Sequence, residues 1–275
     1  MEVLKGDYTL NTKHTNNIQA KKQREYFDSQ FKNYSIYRLE NWRRSYIKRI
    51  LASLKLQPTD IYLDLGCGGS GYLVIESARR GCCSIGVDIS IKGIKKANYF
   101  AKSELGEKGC YHFIVANAEQ LPIKDCIISK ASAIALLEHL ENDDLTIEEI
   151  SRILVNSGYI FTTVPNSFKK MLPLFWLPYY VHDKRIGHLR HYTAEKLKRK
   201  FESHGLFTVN EHYSGHLIKI IQYLLNLIYP NFESSKLWWK LENTDLSNNS
   251  KSGSNLHMVF KNVRAVKSTL SPKTI

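Results

Sequence analysis

Residues 63–71 read LDLGCGGSG, and a second apolar run, SIGVD, ends in a carboxylate, Asp88, 22 residues after Gly66. A buried strand, a glycine turn opening a helix and an acidic residue at the next strand tip form a cradle for a nucleoside. Gly66 and Gly68 let the backbone approach a ligand, and Gly71 lets helix and strand pack closely. Three histidines qualify by position as proton acceptors: His139 follows the fourth strand, and His188 and His191 lie in GHLRHY. An imidazole titrating near neutrality can take a proton from a hydroxyl. Each also has a plainer reading as a hydrogen-bonded structural histidine.

Two cofactors suit this pattern, because Gly66, Gly68 and Gly71 with Asp88 also satisfy the dinucleotide fingerprint. Asp64 favours the second candidate: an acidic residue ending the first strand attracts a cationic ammonium group and repels a pyrophosphate. S-adenosylmethionine carries that ammonium and no phosphate.

The downstream order of motifs strengthens this choice. NAEQLP at 117–122, ALLEHL at 135–140, RILVNSGYIFTTVPN at 152–166 and GHLRHYTAEKLKRKFESHGL at 187–206 follow the glycine loop in sequence. With them the chain resembles a class I S-adenosylmethionine-dependent methyltransferase of the ubiquinone-biosynthesis-like, small-molecule group, over roughly residues 60–262. The resemblance implies that the loop of Asp64, Gly66, Cys67, Gly68 and Gly71 holds the methionine portion. It implies that Asp88, with Ile89, meets the ribose, that Asn117, Ala118 and Glu119 flank adenine, and that Leu136 lines the methyl-transfer site. Asn117 stands where the family usually has aspartate, which forfeits charge assistance. The Asp64-to-Asp88 spacing is one residue longer than the family's commonest, so Ser70 reads as an insertion and either Gly69 or Gly71 fills the third-glycine role. Ile128 and Ser129 replace a usual Phe-Asp pair.

These residues need a scaffold. Alternating apolar runs and helical spacings predict strands near 60–65, 83–88, 111–116, 128–134 and 157–163, with helices near 71–80, 90–105 and 143–154. That is a Rossmann-like, doubly wound α/β sheet, expected to have seven strands with the last antiparallel, ending at 207–213 and 256–262. Residues 1–57 read as an N-terminal helical cap on a methyltransferase domain at 58–275, with two helices between 18 and 56. Stretches at 166–187 and 215–247 read as lid or substrate elements. Candidate acceptor contacts are Tyr26 and Tyr37 from the cap, Trp176 and Tyr180 from the proline-interrupted MLPLFWLPYYV, and Arg190. Arg190 is expected to pair with Asp183 or Glu138, or to hold an acidic group on the acceptor. Core packing is the plainer reading for the aromatics. LIKIIQYLLNLIY at 217–229 is too short to span a bilayer; core burial is the default, with an acceptor tunnel or a membrane interface as alternatives.

The chain of 275 residues carries 39 Lys plus Arg against 26 Asp plus Glu, a formal charge of +13. Such a field favours an anionic partner without choosing among nucleic acid, lipid headgroups and metabolites. The polar start, with no basic-then-apolar leader, predicts a cytoplasmic protein, with peripheral membrane contact as a further option. Five cysteines without a CxxC pair read as reduced thiols, Cys67 as a small turn residue. No metal-ligand spacing is evident, which predicts metal-independent transfer. The expected acceptor is a small, partly apolar or lipid-linked molecule methylated on oxygen. A nucleic-acid acceptor is disfavoured because VPN at 164–166 replaces the NPPY-type tetrad of amino methylation. A non-catalytic binding protein is the third reading.

Overall fold

The computed structural model describes residues 18–31, 41–106, 109–167, 187–216 and 235–263, together with residues 180, 221, 225, 228 and 229. Two N-terminal helices, α1 (Ile18–Gln30) and α2 (Asn41–Ser53), precede the sheet. Then β1 (Ile61–Leu65), α3 (Tyr72–Ala78), β2 (Cys83–Asp88), α4 (Ile91–Leu105), β3 (Tyr111–Val115), β4 (Ile128–Ile134), α5 (Asp143–Ile153) and β5 (Leu154–Pro165) alternate. The chain continues through α6 (Ala194–Glu202), β6 (Leu206–Ser214), α7 (Lys236–Ser247) and β7 (Asn255–Asn262). Every strand expected from the sequence is present, and α7 was not foreseen.

The seven strands run in the order β3-β2-β1-β4-β5-β7-β6, parallel except for β7, which pairs antiparallel with β5 and β6. The chain order reverses between β1 and β4, so the C-terminal ends of these strands flank the crevice where open α/β sheets take ligands. Both faces are covered. On one, Leu63, Leu65, Ile85 and Val87 pack with Ile147, Ile150, Leu197 and Phe201. On the other, Ile47, Ile50 and Leu54 of α2 cover Tyr62, Phe161 and Val259. Burying one such side chain contributes about 1.5–3 kcal/mol.

Helix starts follow capping chemistry. Ser90 accepts from Gly93 N, Asn142 from Asp144 N and Leu145 N, and Thr193, the cap expected from sequence, from Lys196 N. One cysteine expectation is corrected: Cys83 and Cys110 form a disulfide, with Cα atoms 4.7 Å apart. Parallel neighbours explain it, since Cys83 opens β2 and Cys110 directly precedes β3. Cys67, Cys82 and Cys126 remain free thiols. Among the described residues no helix is long and apolar enough to cross a membrane. Most of 217–229 and nearly all of the 166–187 lid, including Trp176, lie outside the described residues, as does Tyr37.

Candidate active site

The glycine turn is built from backbone that side chains would not tolerate. Gly66, Gly68 and Gly71 all have positive φ, at 73°, 62° and 56°. The turn is tied to β2, where Gly66 N and Cys67 N both donate to Val87 O. Gly71 sits at the start of α3, where a Cβ would meet Phe113 at 3.0 Å and Ala97 at 3.1 Å, so it performs the packing role. Gly69 instead faces Phe31, 2.9 Å from where its Cβ would be.

Asp88 faces the cavity at the tip of β2. Its Oδ2 accepts from Gly68 N at 2.9 Å and its Oδ1 from Ser90 N at 2.8 Å, while burial raises its pKa. The cavity wall runs through Gly66, Gly68, Asp88 and Ile89, then Asn117, Ala118 and Glu119, then Leu136 and His139. Nine sequence candidates therefore converge on one space. Asn117 Oδ1 accepts from Glu119 N at 3.0 Å, and Glu119 Oε1 from Asn142 N at 3.0 Å, which holds this wall to the start of α5.

Asp64 does not line the cavity. Strand alternation turns it to the Tyr62 face, where its Oδ1 accepts from Ser132 at 2.6 Å. Burial pushes its carboxyl up to about 7, the Ser132 bond opposing and Asp88 adding. Cys67 is buried beside it, its thiol raised well above the ordinary value by burial, so it is no nucleophile.

The residues that the N-terminal segment brings to this cavity are not the ones named from the sequence. Gln23, Phe27 and Phe31 of the N-terminal segment line the same cavity, and Gln23 Nε2 is buried without a hydrogen-bond partner among the described residues. Asp28 fixes the segment by accepting from Ser90 Oγ and Lys92 N at the start of α4, and Lys96 Nζ donates to Phe31 O at 2.8 Å. Tyr26 packs edge-on against Phe27 and stays off the wall. Tyr180 is 52% exposed.

At the end of β4, Ala135 has φ 49°, a left-handed conformation unusual for a residue with a Cβ. It turns the chain into a 3-10 turn, Leu137–His139, that presents His139 to the cavity. Burial, then neighbouring His188, lowers the His139 pKa to about 4, and a bond to the Gly187 backbone opposes this. The His139 ring packs against Phe27 at 5.5 Å and His188 at 4.9 Å. His188 Nε2 lies 4.0 Å from Glu138 Oε1, and His191 is 6.3 Å from His188, ring to ring. Neither His188 nor His191 is on the cavity wall.

Among the described residues Arg190 pairs not with Glu138 but with Asp143 Oδ1 at 2.5 Å, and it also donates to Glu141 O at 2.9 Å; Asp183 lies outside the described residues. Lys200 and Tyr192 complete that network and lower the Asp143 pKa against burial. Arg190 thus anchors its segment to the start of α5. A metal-competent donor set does exist: Glu138, His139 and His188 each offer an atom within 4.8 Å of the others. Sequence spacing hid it because the two segments are about fifty residues apart.

The model of the Methyltransferase domain family matches residues 63–162. The Ubiquinone biosynthesis O-methyltransferase of Pelagibacter ubique is 30% identical over 178 residues, covering 58% of this chain and 71% of that protein. The chain belongs to the class I S-adenosylmethionine-dependent methyltransferases. It is an enzyme that uses S-adenosylmethionine as methyl donor. The tRNA (carboxymethyluridine(34)-5-O)-methyltransferase of Arabidopsis thaliana is 30% identical over 55% of this chain, which spans only 34% of that relative. Geranyl diphosphate C-methyltransferase from Streptomyces coelicolor, solved with Mg2+, geranyl diphosphate and S-adenosyl-L-homocysteine, superposes with TM-score 0.65 at 14% identity, covering 90% of this chain and 99% of that one. The glycine turn, the carboxylate of Asp88 and the amide-bearing wall at Asn117 fit the methionine, ribose and adenine parts of the donor. This methyltransferase leaves its acceptor to be inferred.

Proposed function

We propose that this methyltransferase acts on an oxygen of a small, partly apolar acceptor of natural-product, quinone-like or lipid-linked type. The observation that carries the reading is the placement of His139 on the same wall as the glycine turn and Asp88, under an aromatic roof of Phe27 and Phe31. Bound S-adenosylmethionine supplies an electrophilic methyl group. Gly66, Gly68 and the Asp88 carboxylate hold it, with Ile89, Asn117, Ala118 and Glu119 beside the nucleoside and Leu136 near the methyl.

The chain's own work is alignment and proton removal. Alignment of reacting atoms can supply up to about 7–11 kcal/mol of barrier lowering. A desolvated His139 is neutral at physiological pH, so one ring nitrogen can accept a hydrogen bond from an acceptor hydroxyl while the bond to Gly187 fixes the tautomer. His188, backed by the Glu138 carboxylate, is the next proton acceptor in line.

The test is transfer of labelled methyl from S-adenosylmethionine into fractionated cell extract. Label in a small organic-soluble product, lost in Asp88→Ala, supports the reading; label in RNA assigns the basic surface to a nucleic-acid substrate and overturns it. Turnover that stops on chelation would make Glu138, His139 and His188 metal ligands instead of a proton path.

A further inference from the structure

A second cavity, of about 240 Å³, shares no residue with the first and lies over the antiparallel half of the sheet. Alternate rungs on one face of the sheet form its floor. Phe161, Val259 and Asn210 pair across β5, β7 and β6, and, two residues along, His257 and His212 pair beside Thr163. Tyr46 and Arg49 of α2 wall it from above, and Leu246 and Asn249 close it at the end of α7.

Arg49 is the unusual member. Its Nη2 lies 3.1 Å from His212 Nε2, and among the described residues it makes no ion pair with Asp or Glu. A guanidinium ordinarily sits beside a carboxylate when partly desolvated. The nearby carboxylates are committed elsewhere. Glu211 borders the cavity, but strand alternation sends its carboxylate to the opposite face, where Oε1 accepts from Tyr213 at 2.8 Å. Asp245 accepts from Gly215 N, His216 N and the His216 ring.

His257 cannot answer Arg49 either, since Thr163 and Ser214 occupy both of its ring nitrogens. Ser53 donates its hydroxyl to Arg49 O. The lining thus offers a guanidinium from α2 beside the His212 ring, an amide-bearing residue on β6 at Asn210 and another in the loop at Asn249, with Tyr46 and Ser53 alongside. Donors arriving from three elements match a tetrahedral anion better than a planar carboxylate, which one fork satisfies.

We propose that this cavity is an oxyanion site that binds a phosphoryl group through Arg49, Asn210 and Asn249. The group comes either from free phosphate or from a phospholipid headgroup.

Calorimetry on the full chain with inorganic phosphate, and flotation with vesicles of neutral lipid with or without phosphatidic acid, distinguish the two sources. Arg49→Gln should weaken phosphate binding by about tenfold or more, as expected for loss of a charge-assisted contact. Asn249→Ala, at a loop position that leaves the core intact, should weaken it less and keeps the test open if the arginine variant folds poorly. Phosphate should also shift the imidazole resonances of His212 and leave those of His112 unmoved. Vesicle binding that needs phosphatidic acid, without free-phosphate binding, assigns the lipid headgroup. Equal phosphate affinity in wild type and both variants, or no binding in either format up to about tens of millimolar phosphate, overturns the proposal.

Discussion

His139 and His257 are both buried imidazoles whose proton affinity is pushed down, to about 4 and about 3 respectively, yet their surroundings differ in one decisive respect. His257 lies between β5 and β6 with Thr163 on one ring nitrogen at 2.8 Å and Ser214 on the other at 2.7 Å. His139 lies at the strand ends on a cavity wall, with aromatic contacts and a bond from its ring to the Gly187 backbone. Burial sets the charge state of both; they differ in how their ring nitrogens are engaged. A histidine with both nitrogens engaged inside a sheet holds strands together, whereas one facing a cavity can act on what enters.

The sharpest way to break this comparison is to remove each ring. His139→Ala should lower kcat by about 10²–10⁴-fold, the usual range for a positioned base, with little change in the unfolding midpoint. Steady-state turnover on an identified acceptor measures it, and unchanged kcat would leave His139 as packing against Phe27.

Acid is the next lever, and it acts on both rings in the same sense. Each histidine stays neutral in the fold while the unfolded chain takes up a proton below about 6.5. The contribution of each ring to folding stability should therefore be intact above that pH and fall as pH drops from about 6.5 toward about 4 for His139 and about 3 for His257. Denaturant titrations at neutral and mildly acidic pH check the direction. Asp64 and Asp88, whose carboxyls burial raises, act in the opposite sense, so the ring is read by difference: the stability lost in His257→Ala should shrink between pH 7 and pH 5, and a loss that stays constant would mean the ring is not held neutral.

The smallest effect expected is the mirror of the first. His257→Ala leaves Thr163 and Ser214 without their ring partner and should cost about 1–3 kcal/mol of stability. Its kcat should remain within a fewfold of wild type. If this variant lost turnover as severely as His139→Ala while staying folded, the division between the two histidines would collapse.

How much of this was readable beforehand depended on whether the signal is local. Strands and the glycine turn are written in contiguous residues, so β1, β2 and the left-handed Gly66 and Gly68 followed from LDLGCGGSG and SIGVD. Asn117 and Leu136 came from the resemblance of NAEQLP and ALLEHL to the family's motifs, which lie at strand ends. Pairings across long separations left no such trace. Arg190 finds Asp143, 47 residues away, because the 188–193 segment is pinned by Leu189 N to Glu138 O and Tyr192 N to Pro165 O. Gln23, Phe27 and Phe31 were missed because α1 mixes polar and aromatic residues without a clear apolar face. Alternation along β1 was available to warn that Asp64, sharing a face with Tyr62, would turn away from the cavity.

Phe31 has a consequence for how this sequence can drift. Its ring lies 2.9 Å from where a Cβ would stand at Gly69 and again at Gly93, and 3.4 Å from one at Gly68. Three glycines on two separate elements thus answer to a single aromatic ring. A side chain gained at 69 or 93 would demand less bulk at 31 or a reseated N-terminal helix, so a change at one of these positions constrains the others.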